Sequence, residues 1–309
     1  MDITNYTTEH RKGQHLLSEE RHEIEVRLKD GWSIYRIAKH LGRSYNTIKN
    51  EIKRGTVSLY KGMMREDTKQ KLYDLNLAEL VSAIEEQEKN PQYAGMTFTE
   101  RLDLAVDAVY QSKYNSQVKR LLSQAKLRFP DADAVNIYYT DRELERDKML
   151  RLATCQFMET HRNVIFQGFT GSGKSWLACC IAKEACKRKY RTRYIRMPDL
   201  LTLYEEASVS KTGVSKLLTK WSNYDLLILD EFLLNDLTQA EQLFLFELIE
   251  RRYDKTSTMF CTQYRMEDWH ARLGGGVHAD AILDRIVHNV EVVYAGRLNM
   301  REVHAVKAR

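Results

Sequence analysis

The chain has 309 residues, 43% of them hydrophobic and 29% charged, with a formal net charge of +5 at pH 7. That length suits two or three domains, and the composition excludes collagenous, low-complexity and wholly disordered chains. The longest apolar runs are strand-sized and the start (M-D-I-T-N-Y-T-T-E-H) has neither the charge nor the apolar core of a secretory leader, so the expectation is a cytoplasmic protein with no membrane span. The five cysteines, Cys155, Cys179, Cys180, Cys186 and Cys261, are odd in number and lack metal-ligand spacing, which reads as free thiols in a reducing compartment. Charge is unevenly spread. Residues 1–62 hold 12 Lys and Arg against 8 Asp and Glu, and the remaining 247 residues hold 36 against 35. A small nucleic-acid-binding module ahead of a nearly neutral enzyme fits this distribution; a solvated basic surface gives the same count.

Residues 1–10 show no period and are expected to be disordered. Residues 18–30 then read as a first helix, with Ser18 at its N-cap and Gly31 ending it. Residues 33–41 form a second short helix, Gly42 a turn, and Ser44 caps a third helix reaching about residue 54. Ala38 and Gly42 supply the small residue and the glycine of a tight helix-turn-helix, around a core of Ile34, Ile37, Leu41, Ile48 and Ile52. The DNA-facing set is then Arg43, Ser44, Tyr45, Asn46, Lys49, Asn50, Lys53 and Arg54. Asn46 and Asn50 are suited to base edges, and Arg43, Lys49, Lys53 and Arg54 to phosphates. A protein-binding three-helix bundle with a charged face is the competing reading. Through G-W-S-I-Y-R-I-A-K-H-L-G-R-S and T-I-K-N-E-I-K-R the segment resembles the N-terminal helix-turn-helix of transposases from one insertion-sequence family, although the carboxylate triad of such enzymes has no counterpart here.

Residues 56–62 read as a linker. Met63-Met64 beyond it reads as a start region, so the front module is expected to be fused to a complete downstream protein. Residues 67–128 are strongly helical, with a helix start at Thr97-Phe98-Thr99-Glu100. Residues 116–129 place Lys119, Arg120, Lys126 and Arg128 on one helix, and residues 142–161 are read as another.

Asn163 to Gln167 (N-V-I-F-Q) is a short apolar strand. It runs into Gly168-Phe169-Thr170-Gly171-Ser172-Gly173-Lys174-Ser175, a complete G-x-x-x-x-G-K-[ST] match, and then into a helix over residues 175–187. The glycines free the backbone so that N–H groups can face phosphate oxygens at a helix N-terminus. Lys174 reaches the β- and γ-phosphates of ATP, and the Ser175 hydroxyl suits the accompanying Mg2+. The apolar strand Leu226-Leu227-Ile228-Leu229 ends in Asp230-Glu231. Asp230 is assigned to the hydrated metal and Glu231 to the attacking water, at the C-terminal strand ends where ligands of parallel sheets collect. The basic run Lys187, Arg188, Lys189, Arg191, Arg193 and Arg196 brackets a strand over residues 191–197, with DNA contact and an ordinary exposed face equally open. A helix at 198–206, a small-residue loop at 208–215, a helix at 238–253, a strand at 257–262, a helix at 279–287 and a strand at 289–294 follow. The fold class is therefore α/β: a parallel sheet flanked by helices, preceded by an all-α region and a small helix-turn-helix. Domains are expected at 1–62, 63–148 and 149–309.

From about Met64 onward the chain resembles IstB-like transposition helper ATPases, within the AAA+ class that also holds DnaC-type helicase loaders. G-F-T-G-S-G-K-S-W-L-A, L-L-I-L-D-E, C-T-Q and especially H-A-D-A-I-L-D-R-I-V-H-N-V carry the likeness. The resemblance implies that Gln263 is a polar sensor near the γ-phosphate and that Arg285 is an arginine finger acting on a neighbouring subunit of a homo-oligomer. Without the family, Arg285 is as readily paired with Asp284 or Asp280. Arg301 is a candidate second sensor, although no C-terminal helical lid stands out. The implied function is an ATP-dependent helper that assembles on duplex DNA and stimulates a partner transposase. The alternatives are a DnaC-like helicase loader and a DNA-binding regulator for which ATP is a structural ligand.

Overall fold

The computed structural model describes residues 16–54 and 64–307. The expected disorder at 1–10, the linker at 56–62 and the start region at Met63 fall wholly or partly outside the described residues. Two compact units divide the chain, residues 1–111 and 112–309.

The first unit opens with helices α1 (Ser18–Lys29), α2 (Ile34–His40) and α3 (Tyr45–Lys53). Ile24, Ile37 and Ile48, one from each helix, are fully buried together beside Leu16 and Ala38, with Ile34, Leu41 and Ile52 packed at the edge. Burying each such side chain is worth about 1.5–3 kcal/mol, enough to hold three short helices that would not persist alone. The Ser33 and Ser44 hydroxyls accept the N–H groups of Arg36 and Thr47 at 3.3 and 3.0 Å, which fixes where α2 and α3 begin. Ser18, in contrast, is the first helical residue of α1 and Leu17 takes the cap position. Helices α4 (Glu66–Asp74) and α5 (Ala78–Lys89) follow, and α6 (Phe98–Ala125) carries the chain into the second unit. The start of α6 is the one expected: Glu100 accepts the Thr97 N–H at 2.7 Å while the Thr97 hydroxyl accepts the Glu100 N–H at 3.3 Å.

The second unit is a five-stranded parallel sheet in the order β2-β3-β4-β1-β5, made of β1 (Asn163–Gln167), β2 (Thr192–Arg196), β3 (Leu226–Asp230), β4 (Ser257–Thr262) and β5 (Val290–Tyr294). Strands β3 and β4 are buried along their whole length, so they read as continuous apolar runs. Two layers cover the sheet. One is built on α7 (Arg146–Ala153) and α8 (Lys174–Lys187), the other on α9 (Met197–Ser208), α10 (Gly213–Ser222), α11 (Gln239–Arg252), α12 (Met266–Arg272) and α13 (Gly276–Val287). A short α14 (Met300–Lys307) ends the described chain. Because β2, β3 and β4 lie on one side of β1 and β5 on the other, the chain reverses direction across the sheet at β1. Its C-terminal end is therefore the crevice where such sheets bind ligands.

Several expected elements change. The helix read over 142–161 is confined to α7 and a 3-10 turn at Gln156–Met158, because Cys155 adopts a left-handed conformation at φ 61° that ends it. Helix α6 stops at Ala125, with Lys126 at φ 51°, so Lys126 and Arg128 are not on it. Residues 213–215, read as loop, start α10, and α12 and α14 were not anticipated.

Candidate nucleotide site and DNA-facing helix

A cavity of about 520 Å³ opens at the C-terminal ends of β1, β3 and β4, within the size range of small-ligand pockets. Thr170, Gly171, Gly173, Lys174 and Ser175 line it from the loop after β1, Asp230 and Glu231 from the end of β3, and Gln263 from the end of β4. The sheet order alone brings them together, since β4 lies between β1 and β3. Gly168, Phe169 and Ser172 belong to the same loop without lining the cavity. Gly171 and Gly173 sit at φ 85° and 87°, which other residues adopt only with strain. A side chain on Gly171 would also collide with Asn299 Oδ1, because the Gly171 carbonyl accepts the Met300 N–H at 2.9 Å and brings the start of α14 against the loop.

The charged groups are arranged around this loop. Lys174 Nζ donates to the carbonyls of Gly168 and Phe169, each at 2.8 Å, and burial pulls its pKa below the ordinary lysine value. Asp230 is 2% exposed. Its Oδ1 accepts the Glu231 N–H at 3.0 Å and its Oδ2 accepts the Tyr194 hydroxyl at 2.5 Å. Burial, and then the Asp230 charge, raise the Tyr194 pKa far above the usual phenol value, so it remains a donor. Glu231 is at φ 56°, as is Leu233, a backbone placement costing on the order of 1 kcal/mol that recurs at functional sites. Arg272 of α12 braces this turn, donating to the Leu233 and Leu234 carbonyls at 2.7 and 2.8 Å. Thr170 Oγ1 donates to Gln263 Oε1 at 3.0 Å, joining the loop to the end of β4.

Arg128 was missed as a pocket residue by sequence reasoning. Its Nη1 lies 3.5 Å from Asp230 Oδ2 and 3.4 Å from Glu231 Oε1, while Arg196 Nη1 lies 3.6 Å from Glu231 Oε2. Phe129, Asn136, Tyr138, Arg142, Trp176, Phe232, Leu234, Cys261 and Met300 also line the wall. Of these, Trp176 directly follows the Lys174-Ser175 end of the glycine loop, and Phe129, Asn136, Tyr138, Arg142 and Met300 carried no sequence signal. Arg301 does line the cavity, from the first turn of the α14 that the sequence pattern did not reveal. Arg285 does not. Its Nε pairs with Glu250, its Nη1 donates to the Ala281 carbonyl at 2.9 Å, and its guanidinium lies 5.0 Å from the centre of the Phe246 ring. The expected partners Asp284 and Asp280 pair instead with His288 and His270. All five cysteines are buried and free.

The residues fit a nucleoside triphosphate with a hard divalent cation. Lys174, Arg128 and Arg301 offer positive charge around one cavity, and Ser175, Asp230 and Glu231 give only oxygen donors, the set preferred by Mg2+. The basic run over 187–196 is largely committed to the fold: Lys187 and Arg188 pair with Glu184, Arg191 with Asp225, Arg196 with Asp199, and Arg193 donates to the Gln124 carbonyl.

In the first unit, Tyr45, Asn46, Lys49, Asn50, Lys53 and Arg54 are all exposed on or just beyond α3. The Ser44 hydroxyl is occupied by its cap. Arg43 departs from the expected phosphate role: its Nε and Nη2 grip Glu20 at 2.9 and 2.8 Å with the side chain only 9% exposed, tying the turn to α1.

Two family models match the chain. Residues 12–55 match the helix-turn-helix domain family, and residues 70–308 match the family described as IstB-like ATP binding protein. The insertion sequence ATP-binding protein y4uH of Sinorhizobium fredii (strain NBRC 101917 / NGR234) is 31% identical over 78% of this chain and 97% of its own length. The IS1162 ATP-binding protein of Pseudomonas fluorescens is 30% identical over 65% of this chain and 87% of its own. Among solved structures, the DnaC helicase loader aligns with a TM-score of 0.46 at 21% identity, over 54% of this chain and 98% of that chain. With a complete phosphate-binding loop facing an Asp-Glu strand end, and with relatives of this length and identity, the chain belongs to the IstB-like ATP-binding proteins of insertion sequences and carries a helix-turn-helix domain at its front.

Proposed function

We propose that this protein is an ATPase that assembles on duplex DNA in its ATP-bound form and stimulates a partner transposase, with hydrolysis resetting the assembly. The observation that carries the reading is the convergence of Lys174, Ser175, Asp230, Glu231 and Gln263 on one cavity in a chain whose relatives belong to insertion sequences. Backbone N–H groups of the 168–175 loop and the Lys174 ammonium bind the phosphates. Ser175 and Asp230 hold the metal, and Mg2+ when bound neutralises phosphate charge. Glu231 accepts a proton from the attacking water, and Gln263, held by Thr170, orients that water or the terminal phosphate. Arg285 lies outside its own cavity, which suits a finger offered to the site of a neighbouring subunit in a homo-oligomer. On α3, Asn46 and Asn50 face base edges while Lys49, Lys53 and Arg54 face phosphates.

The test is turnover and binding in paired variants. Lys174→Ala should abolish nucleotide binding, and Glu231→Gln should keep binding while lowering hydrolysis about a hundredfold or more, the range of a lost general base. Hydrolysis by Glu231→Gln at the wild-type rate would refute the catalytic assignment.

A further inference from the structure

Arg142 is a partly buried guanidinium that meets only carbonyls among the described residues. Its Nη2 donates to Ser172 O and Ala295 O, each at 2.7 Å; its Nε donates to Ala295 O at 3.2 Å and its Nη1 to Tyr138 O at 3.2 Å. Burial lowers its pKa below the usual arginine value, and its hydrogen bonds among the described residues go to neutral carbonyls rather than to a carboxylate. The Ala295 carbonyl is part of the sheet frame, because the Ala295 N–H extends the β1–β5 pairing by donating to Gln167 O at 2.8 Å. Arg142 therefore links one carbonyl of the phosphate loop to a fixed part of the sheet.

That carbonyl matters because of the peptide it belongs to. In a planar trans peptide the C=O and the following N–H point in opposite directions, so holding Ser172 O toward Arg142 turns the Gly173 N–H away from it. Gly173 and Arg142 both line the cavity, and an added Cβ on Gly173 would lie 3.6 Å from Arg142 Nη2, so the guanidinium packs against this residue. Glycine is required here by φ 87°, yet glycine also accepts either sign of φ, so the Ser172–Gly173 peptide could flip at little cost. A flipped peptide would present a carbonyl to a phosphate in place of an N–H. Without a clamp, the residue type that permits the cradle would leave its orientation undetermined.

We infer that Arg142 is a positioning residue for phosphate binding: it clamps the Ser172 carbonyl to the sheet and so holds the Gly173 N–H in its anion-facing orientation. The inference rests on the phosphate role given to this loop above. The experiment compares the full chain with Arg142→Met, which keeps the aliphatic bulk, and Arg142→Gln, which is neutral and too short to reach Ser172 O. ADP and adenosine compete against a fluorescent ATP analogue, and the Gly173 amide proton is followed by NMR as ADP is added. Both variants should bind ADP roughly ten- to a hundredfold more weakly, the loss of one hydrogen bond to a charged acceptor, with adenosine unchanged and the ADP-induced shift of the Gly173 proton lost. If either folded variant binds ADP with wild-type affinity, or loses ADP and adenosine equally, the clamp is overturned. Should Arg142→Met fail to melt cooperatively, Arg142→Gln decides by the same criteria. A wild-type chain that does not bind ADP would overturn the phosphate role itself, whereas wild-type binding matched by both variants removes only the clamp.

Discussion

Removing Arg128 should make the site more responsive to Mg2+. Its guanidinium sits between the two carboxylates assigned to the metal and to the water, at 3.5 Å from Asp230 and 3.4 Å from Glu231, where it competes with a divalent cation for the same oxygens. The side chain is 39% exposed, so the two contacts are screened and together worth about 1 kcal/mol, at the upper end for solvent-accessible ion pairs. Arg128→Ala should then lower the half-saturating Mg2+ concentration for binding of a non-hydrolysable ATP analogue by about fivefold. The variant without ligand should melt a few degrees lower, since Asp230 and Glu231 lose a shared counter-ion; about 1 kcal/mol corresponds to roughly 2–4 °C in a chain of this size. The assay is a Mg2+ titration of analogue fluorescence at fixed nucleotide, read against a melt of the same samples. A midpoint that stays in place or moves to higher Mg2+ would refute the competition, and a higher midpoint would mean that Arg128 assists the phosphates.

Arg285→Ala should impair hydrolysis while sparing nucleotide binding, because Arg285 lies outside its own cavity; equal loss of both would point to a fold defect through the broken Glu250 pairing. Asn46→Ala and Asn50→Ala should reduce discrimination between DNA sequences, whereas Lys49→Ala and Lys53→Ala should weaken all sequences alike and each reduce the salt slope of binding by about one. Burial pushes the Cys155 and Cys179 thiols up to about 11 and raises those of Cys180, Cys186 and Cys261 as well. Unfolding frees these thiols to ionise near their ordinary value, so stability should fall as pH rises from about 9 toward 11. Urea melts across that range, with Cys→Ala or Cys→Ser controls, should show the slope, and a flat profile would contradict it.

The parts of this molecule legible in its sequence are those fixed by local chemistry. Strands β1 and β4 begin and end where the apolar runs do, and the caps at Ser44 and Thr97 are set by side chains within three residues of the groups they satisfy. The 168–175 loop is likewise a contiguous solution to one problem. What was missed depends on contacts between residues distant in sequence. Arg128 was placed on a helix with Lys126, yet the helix breaks at a left-handed Lys126 and the guanidinium meets carboxylates 102 and 103 positions later. Arg43 looked like a phosphate ligand because its partner Glu20 lies 23 residues earlier on another helix. The basic run over 187–196 gave the same ambiguity, since Asp225 and Gln124 approach it only in the folded chain. Helix α10 carried a readable period in Val214, Leu217, Leu218 and Trp221, masked by the small polar residues in front of it.

The claim that the two units act together on duplex DNA under the control of ATP is tested most directly by sedimentation. The full chain would be spun with a non-hydrolysable ATP analogue and Mg2+, offering duplex and single-stranded DNA of equal length in parallel. Large assemblies that form on duplex only, and only with the analogue, are the predicted result. Preference for single strands, or no assembly on either, would contradict it and favour a role in loading a helicase.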